Sequence, residues 1–197
     1  MNVLIILEDF TYDQHILKPL VQAMFRALGK ARARVAVCFE PQLGGVEQAL
    51  GATQIMEIVD QYPMVDLFLL CVDRDGKPGR RAALDKIEAA AQDTLRTDAA
   101  LFGENAWQEI EVWALAGHDL PPEWSWRAIR EEVAVKERYF FPLAQRNGLP
   151  DDALLVYKTM GQAAARRYPR VRQLCSEDVG NLRNRIENWL NQPAHLP

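Results

Sequence analysis

The sequence predicts an α/β fold: a mainly parallel sheet flanked by helices, continued by a helical C-terminal region. Two short apolar runs, Val3-Leu-Ile-Ile-Leu7 and Leu67-Phe-Leu-Leu-Cys-Val72, read as strands buried on both faces. Amphipathic stretches at helical spacing separate the strand-like runs of the first hundred residues, which implies right-handed βαβ crossovers and a sheet covered on both sides. Past about residue 104 only helical patterns remain. The chain therefore divides into an α/β region, 1–117, and a helical extension packed on it, 118–197.

Strand one covers about 3–8. The helix after it, about 13–28, places Ile16, Leu17, Leu20, Val21, Met24, Phe25 and Leu28 at helical spacing and stops at Gly29. Strand two is about 34–39, followed by a Gly44-Gly45 loop and a helix over about 46–61 that ends before Pro63. Strand three is 67–72, with Gly76, Pro78 and Gly79 in the loop behind it. A helix over about 80–96 leads to a short fourth strand, Ala99 to Phe102. Glu104 to Ala116 reads as a helix carrying Trp107, Ile110, Val112, Trp113 and Leu115. After a Pro121-Pro122 loop, helices are expected at about 125–146, 151–168 and 176–191. Glu177 and Asp178 behind Ser176 suit the start of the last, because acids favour a helix's first turn. The tail Gln192 to Pro197 is expected to fray.

Composition sets broad bounds. At 197 residues, 49% apolar and 25% charged, the chain is large enough for a sizeable core and has an ordinary soluble balance. No run approaches the roughly 18–20 apolar residues of a membrane span, and the first residues lack the signature of a secretory signal. Cys38, Cys71 and Cys175 are odd in number and widely spaced, which suits buried free thiols rather than a disulfide framework or a zinc site. A cytoplasmic protein without membrane partners is the expectation. The net charge of −4 argues against a dedicated nucleic-acid binder, yet it is unevenly spread. Residues 127–172 hold ten Lys/Arg against five Asp/Glu, whereas the rest hold 13 against 22. A mixed solvated helical surface explains this; so does a basic flank for a phosphate backbone beside an acidic metal-binding half.

Both long apolar runs end in acid. Glu8 follows the first; Asp73-Arg74-Asp75-Gly76 follows the second. If the two strands are neighbours in a parallel sheet, Glu8, Asp73 and Asp75 emerge together at its carboxyl edge, where open α/β sheets bind ligands. Alternation puts Asp73 and Asp75 on one side if the strand continues, and Gly76 then frees the chain to turn. Alone, Glu8 is an ordinary strand-end carboxylate and Asp-Gly an ordinary turn. Together they point to a hard divalent cation held by oxygen ligands.

These motifs, in this order, resemble the TOPRIM domain, a Rossmann-like fold shared by topoisomerases, primases and the nucleases of the overcoming-lysogenization-defect family. The likeness rests on Glu8 closing the first strand, Thr11 and Asp13 opening the first helix, and Asp73-x-Asp75-Gly76 closing the third strand. Glu109-Ile-Glu111-Val-Trp113-Ala-Leu-Ala116 is similar to a segment of small TOPRIM-like proteins, several of them associated with bacterial anti-phage systems. Lys158 and Val171 to Cys175 resemble the helical tail of such proteins more loosely. Two departures stand out: Asp9 occupies the place of the family's Gly, and Tyr12 that of a family acid, with Asp13 one residue further.

The resemblance implies a Mg2+- or Mn2+-dependent nuclease acting on nucleic acid, DNA ahead of RNA. It further implies Glu8, Asp73 and Asp75 as catalytic and metal-binding groups, with Glu8 a ligand or general acid/base. Glu111, or less strongly Glu109, would complete a second metal site. Lys158, or Lys136, would stabilise the pentavalent phosphate. The alternative is an inactive TOPRIM-like subunit docked on a larger ATPase or nuclease, with Trp124 and Trp126 as an apolar contact patch; a homo-oligomer is compatible with either. Asp-x-Asp-Gly also resembles the nucleophile motif of haloacid-dehalogenase-type phosphatases, but that motif sits on the first strand. No P-loop, dinucleotide or EF-hand pattern is present, and His15, His118 and His195 are scattered.

Overall fold

A computed structural model of the chain describes residues 1–192, so the tail after Gln192 and His195 lie outside the described residues. Its centre is a four-stranded, all-parallel sheet in the order β2-β1-β3-β4. The strands are β1 (Asn2–Leu7), β2 (Arg34–Val37), β3 (Leu67–Asp73) and β4 (Ala100–Ala106). Helix α1 (Gln14–Ala27) links β1 to β2; α2 (Val46–Ala49) and α3 (Ala52–Gln61) lead to β3; α4 (Arg80–Thr94) leads to β4. Beyond the sheet come α5 (Glu111–Ala116), α6 (Trp126–Glu131), α7 (Phe141–Arg146), α8 (Ala153–Arg166), α9 (Tyr168–Leu174) and α10 (Asn181–Leu190). Two π-helical turns, Lys136–Phe140 and Ser176–Gly180, run directly into α7 and α10. Among the described residues no helix is long and apolar enough to cross a membrane.

Each central strand is apolar throughout because it feeds two cores. Val3, Ile5, Leu7, Leu67, Leu69 and Cys71 face α1, α5 and the C-terminal helices. Leu4, Ile6, Phe68, Leu70 and Val72, one residue out of phase, face α3 and α4. The helical region is no appendage, since Tyr157, Met160, Val171, Leu182 and Ile186 share the first of these cores. Helix α8 approaches α1 closely at Gly161, where a Cβ would stand 2.1 Å from the His15 carbonyl oxygen. Pro19, inside α1, has no N–H to give that carbonyl, and the missing side chain at 161 lets α8 lie against it. All three cysteines are buried free thiols.

Several expected boundaries shift, each for a local reason. The 46–61 helix is two pieces that part at Leu50–Gly51. The residues 104–106, expected to open a helix, instead complete β4, whose pairing with β3 runs through Asp73 and Ala106. Gln108, at φ 74°, then turns the chain before α5. The 125–146 helix breaks after Glu131 and resumes in the π-turn at Lys136. Pro169, at the first turn of α9, starts a separate helix where the 151–168 pattern ends.

Candidate metal centre

The strand order reverses between β1 and β3, the switch point at which a parallel sheet opens a crevice outside its carboxyl ends. Leu7 is in register with Cys71, so Glu8 and Asp73 leave neighbouring strands at that crevice. The first-strand and third-strand acids are thus brought together as the apolar runs imply.

The next acid goes elsewhere. Strand β3 ends at Asp73, and Asp75 sits in the turn at φ 47°, so the alternation that would align the two acids stops. Gln108 holds this turn: its carbonyl accepts from Arg74 N–H (2.8 Å) and Asp75 N–H (3.0 Å), and its Oε1 accepts from Gly76 N–H (2.7 Å). Asp75 pairs instead with Arg80, Nη2 to Oδ2 at 2.5 Å. Arg80, the buried first residue of α4, also donates to the Asp73 carbonyl and lies 3.7 Å from Glu8. Arg74 pairs with neither neighbouring acid; it stacks over the Trp107 ring at 3.7 Å.

The loop after β4 completes the cluster. One carboxylate oxygen each from Asp73, Glu109 and Glu111 lies within 4.8 Å of the other two. Asp73 Oδ1 accepts from Ile110 N–H (2.8 Å), tying the end of β3 to that loop. Glu111 is fully buried; its Oε1 accepts from the Tyr157 hydroxyl and lies 3.3 Å from Lys136 Nζ. Glu111 Oε2 is buried with no partner. Glu109 Oε2 accepts from Lys136 N–H (2.8 Å), so the π-turn delivers one lysine to both glutamates. Asp13, buried at the start of α1, feels Glu111, Asp9 and Glu8.

Six carboxylates therefore converge on two cations, Arg80 and Lys136, and the electrostatics follow. Burial, with Glu111, Asp9 and Glu8 adding repulsion, pushes Asp13 well above the usual carboxylate range. Burial, then Asp13, Glu111 and Glu8, does the same to Asp73. Burial raises Glu8 to about 7 against the pull of Arg80, and Glu109 to about 7 against the Lys136 N–H. Burial alone would lower the pKa of Lys136, but Glu111 and Glu109 override it and raise it. Crowding of this kind favours protonation of the acids or an added positive charge.

Of the lysines weighed from sequence, Lys136 joins the acids. Lys158 is exposed on α8, and the charge effect it exerts is on His15. One residue along a helix is a turn of about 100°, so Tyr157, not Lys158, meets Glu111. Trp124 and Trp126 are half-buried: Trp124 packs edge-on against Tyr139 at 5.0 Å, and Trp126 Nε1 donates to Leu174 O. A separate hub braces the site from behind. Asp178 Oδ2 accepts from Trp107 N–H (3.0 Å), Trp113 Nε1 (2.8 Å) and Arg130 Nη1 (2.8 Å).

Sequence reading missed Arg80, Gln108, Tyr157 and the Asp178 hub. Arg80 carried a usable signal: the residue that opens the helix after a strand returns to that strand's carboxyl end. No protein-family model, curated protein or solved structure matches this chain. The donor set itself fits a hard divalent cation: all oxygen, anionic, and including the buried, unpartnered Glu111 Oε2.

Proposed function

We propose that this chain is a Mg2+- or Mn2+-dependent phosphoryl-transfer enzyme of TOPRIM type, a nuclease hydrolysing phosphodiesters in nucleic acid. The observation that supports this best is the convergence of Asp73, Glu109 and Glu111 at the sheet's switch point, with Glu111 fully buried and its Oε2 unpartnered. Asp73, Glu109 and Glu111 would hold the ion. A bound divalent ion supplies Lewis-acid stabilisation of charge on phosphoryl oxygens.

The chain's own residues supply the rest. Tyr157 and Lys136 fix Glu111 through Oε1 and leave Oε2 free to face the ligand. Lys136, kept charged by its two glutamates, offers a cation to a phosphate near the cluster. Glu8, raised to about 7 and with Oε2 free of hydrogen bonds, is poised to take or give a proton near neutral pH. The excess of Lys/Arg over Asp/Glu in residues 127–172 would favour an anionic backbone, although Arg127, Arg130, Arg138 and Arg146 are already ion-paired.

The test is hydrolysis of bis(p-nitrophenyl) phosphate and of single- and double-stranded DNA and RNA with Mn2+. Wild type should be active, and Asp73→Asn and Glu111→Gln should each lose at least about a hundredfold, the scale of removing one key electrostatic group. Activity that survives both substitutions would sink the assignment. A second reading, a non-catalytic TOPRIM-like subunit of an ATPase or nuclease complex in anti-phage defence, is favoured by one observation: Arg80 already neutralises the Glu8–Asp75 limb. A wild type that binds the ion but hydrolyses none of these substrates would select it.

A further inference from the structure

We propose that Arg80 is a resident counter-ion that limits this centre to a single divalent ion. The inference deepens the metal-dependent reading above and rests on it. The acids that converge on the crevice form two limbs. In one, Asp73, Glu109 and Glu111 bring oxygens within 4.8 Å of one another, and the buried Glu111 Oε2 has no partner. In the other, Glu8 and Asp75 flank the Arg80 guanidinium, 3.7 Å and 2.5 Å away. That guanidinium is 3% exposed and also donates to the Asp73 carbonyl, so it is anchored on the strand end.

Arginine cannot shed its proton in a protein and binds carboxylates through a rigid fork. A second divalent ion at Glu8 and Asp75 would place its two charges against a buried cation that has nowhere to move. Asp75 is therefore held by Arg80 through a hydrogen bond, and Glu8 has only the nearby guanidinium charge to balance it. The three-carboxylate limb, with its unpartnered Glu111 Oε2, is the one that Arg80 does not reach through a side chain. Arg80 is a positioning residue. It fixes Asp75 and the end of β3 and supplies the positive charge that a second metal would otherwise bring.

Counting bound Mn2+ tests this. The full chain is titrated calorimetrically, with free Mn2+ followed by electron paramagnetic resonance. Wild type should bind one ion per chain, and so should Arg80→Lys, which keeps the charge. Arg80→Gln should admit a second, weaker ion. Because Arg80 is buried, Arg80→Gln is checked for native circular dichroism, and a Glu8→Gln/Asp75→Asn pair provides a second route. That pair should keep the single ion with less than about a tenfold loss in affinity, whereas Asp73→Asn should lose roughly tenfold or more. Two ions in wild type, one of them lost in Glu8→Gln/Asp75→Asn, would overturn the inference and leave the metal-centre reading standing. A folded Arg80→Gln that still binds one ion would also overturn it. No binding by wild type would overturn the metal-centre reading itself, and this inference with it.

Discussion

Glu109 makes the cluster's electrostatics measurable without any activity. Its carboxyl is raised from 4.5 to about 7, chiefly by burial. A group whose folded pKa lies above its unfolded value contributes stability that is fully present below the unfolded value and is lost as pH rises through the folded one. The metal-free protein should thus lose stability between about pH 4.5 and 7. A shift of about 2.5 units is worth about 3 kcal/mol at 1.36 kcal/mol per unit, and the partial exposure of Glu109 trims this to about 2 kcal/mol. For a chain of this size that is about 4–8 °C in Tm.

Other groups titrate in the same window. His15 and His118 have lowered pKa values, from burial first, so their contribution is present above about 6.5 and lost as pH falls. They act against Glu109, whereas Glu8 and Glu104, each raised to about 7 chiefly by burial, act with it, and all four remain in a Glu109→Gln variant. The readout is therefore a difference: thermal melts of wild type and Glu109→Gln in EDTA from pH 4.5 to 7.5. Wild type should fall by about 4–8 °C relative to the variant across that range. With saturating Mn2+ the sign should reverse for wild type, because the ion binds the deprotonated carboxylates and competes with protons. Parallel profiles in EDTA would refute the idea that the cluster holds Glu109 against ionisation.

Three further outcomes are expected. Glu111→Gln should abolish the Mn2+-dependent rise in Tm, which for wild type at a hundredfold excess over Kd is about 2.7 kcal/mol, or about 5–10 °C; an equal rise in the variant would exclude Glu111 as a ligand. Asp178→Ala leaves the buried Arg130 guanidinium without its close partner and should cost about 3–5 kcal/mol in urea unfolding; a loss under about 1 kcal/mol would mean the hub is solvated. Gly161→Ala should destabilise by at least about 2 kcal/mol in the same assay. Its Cβ meets backbone at His15 O (2.1 Å) and Ile16 Cα (2.8 Å), which cannot swing aside, and the helix-propensity gain of about 1 kcal/mol is too small to offset that. A neutral Gly161→Ala would show that α8 can slide on α1.

The sheet was legible because its central strands are buried on both faces, and short bounded apolar runs such as Leu67 to Val72, alternating with helical patterns, suit parallel strands. Glu8 and Asp73 followed directly, since the last residue of a buried strand has only the edge to go to. What failed was local. Glu104 and Asn105 look like a helix start, but the pairing of Cys71 with Glu104 and Val72 with Asn105 keeps them in the sheet. Tertiary pairing overrode the helical reading at 104–106, whereas Trp113 lies in α5 as its spacing implies. Asp75 was misplaced because a turn held by three hydrogen bonds that Gln108 accepts, 32 residues from Gly76, leaves no trace in the spacing of Asp73 and Asp75.

The two cations show where sequence reasoning had further to go. Lys136 is brought in by a π-turn, and the extra residue in that turn is invisible to a 3.6-residue pattern, so Lys136 and Lys158 could not be told apart by spacing. Arg80 is different. In a βαβ unit the helix must begin near the end of the strand it follows, and Gly76 (φ 67°), Pro78 and Gly79 make this connection tight. The first side chain of α4 is thereby confined to the same edge as Asp73 and Asp75. An arginine in that place, next to carboxylates that need a positive charge, is drawn into them by geometry and Coulomb attraction alike. The motif that matters for the charge balance of this centre is therefore Asp73 to Arg80 taken whole, one residue type longer than the acidic pair that first draws attention.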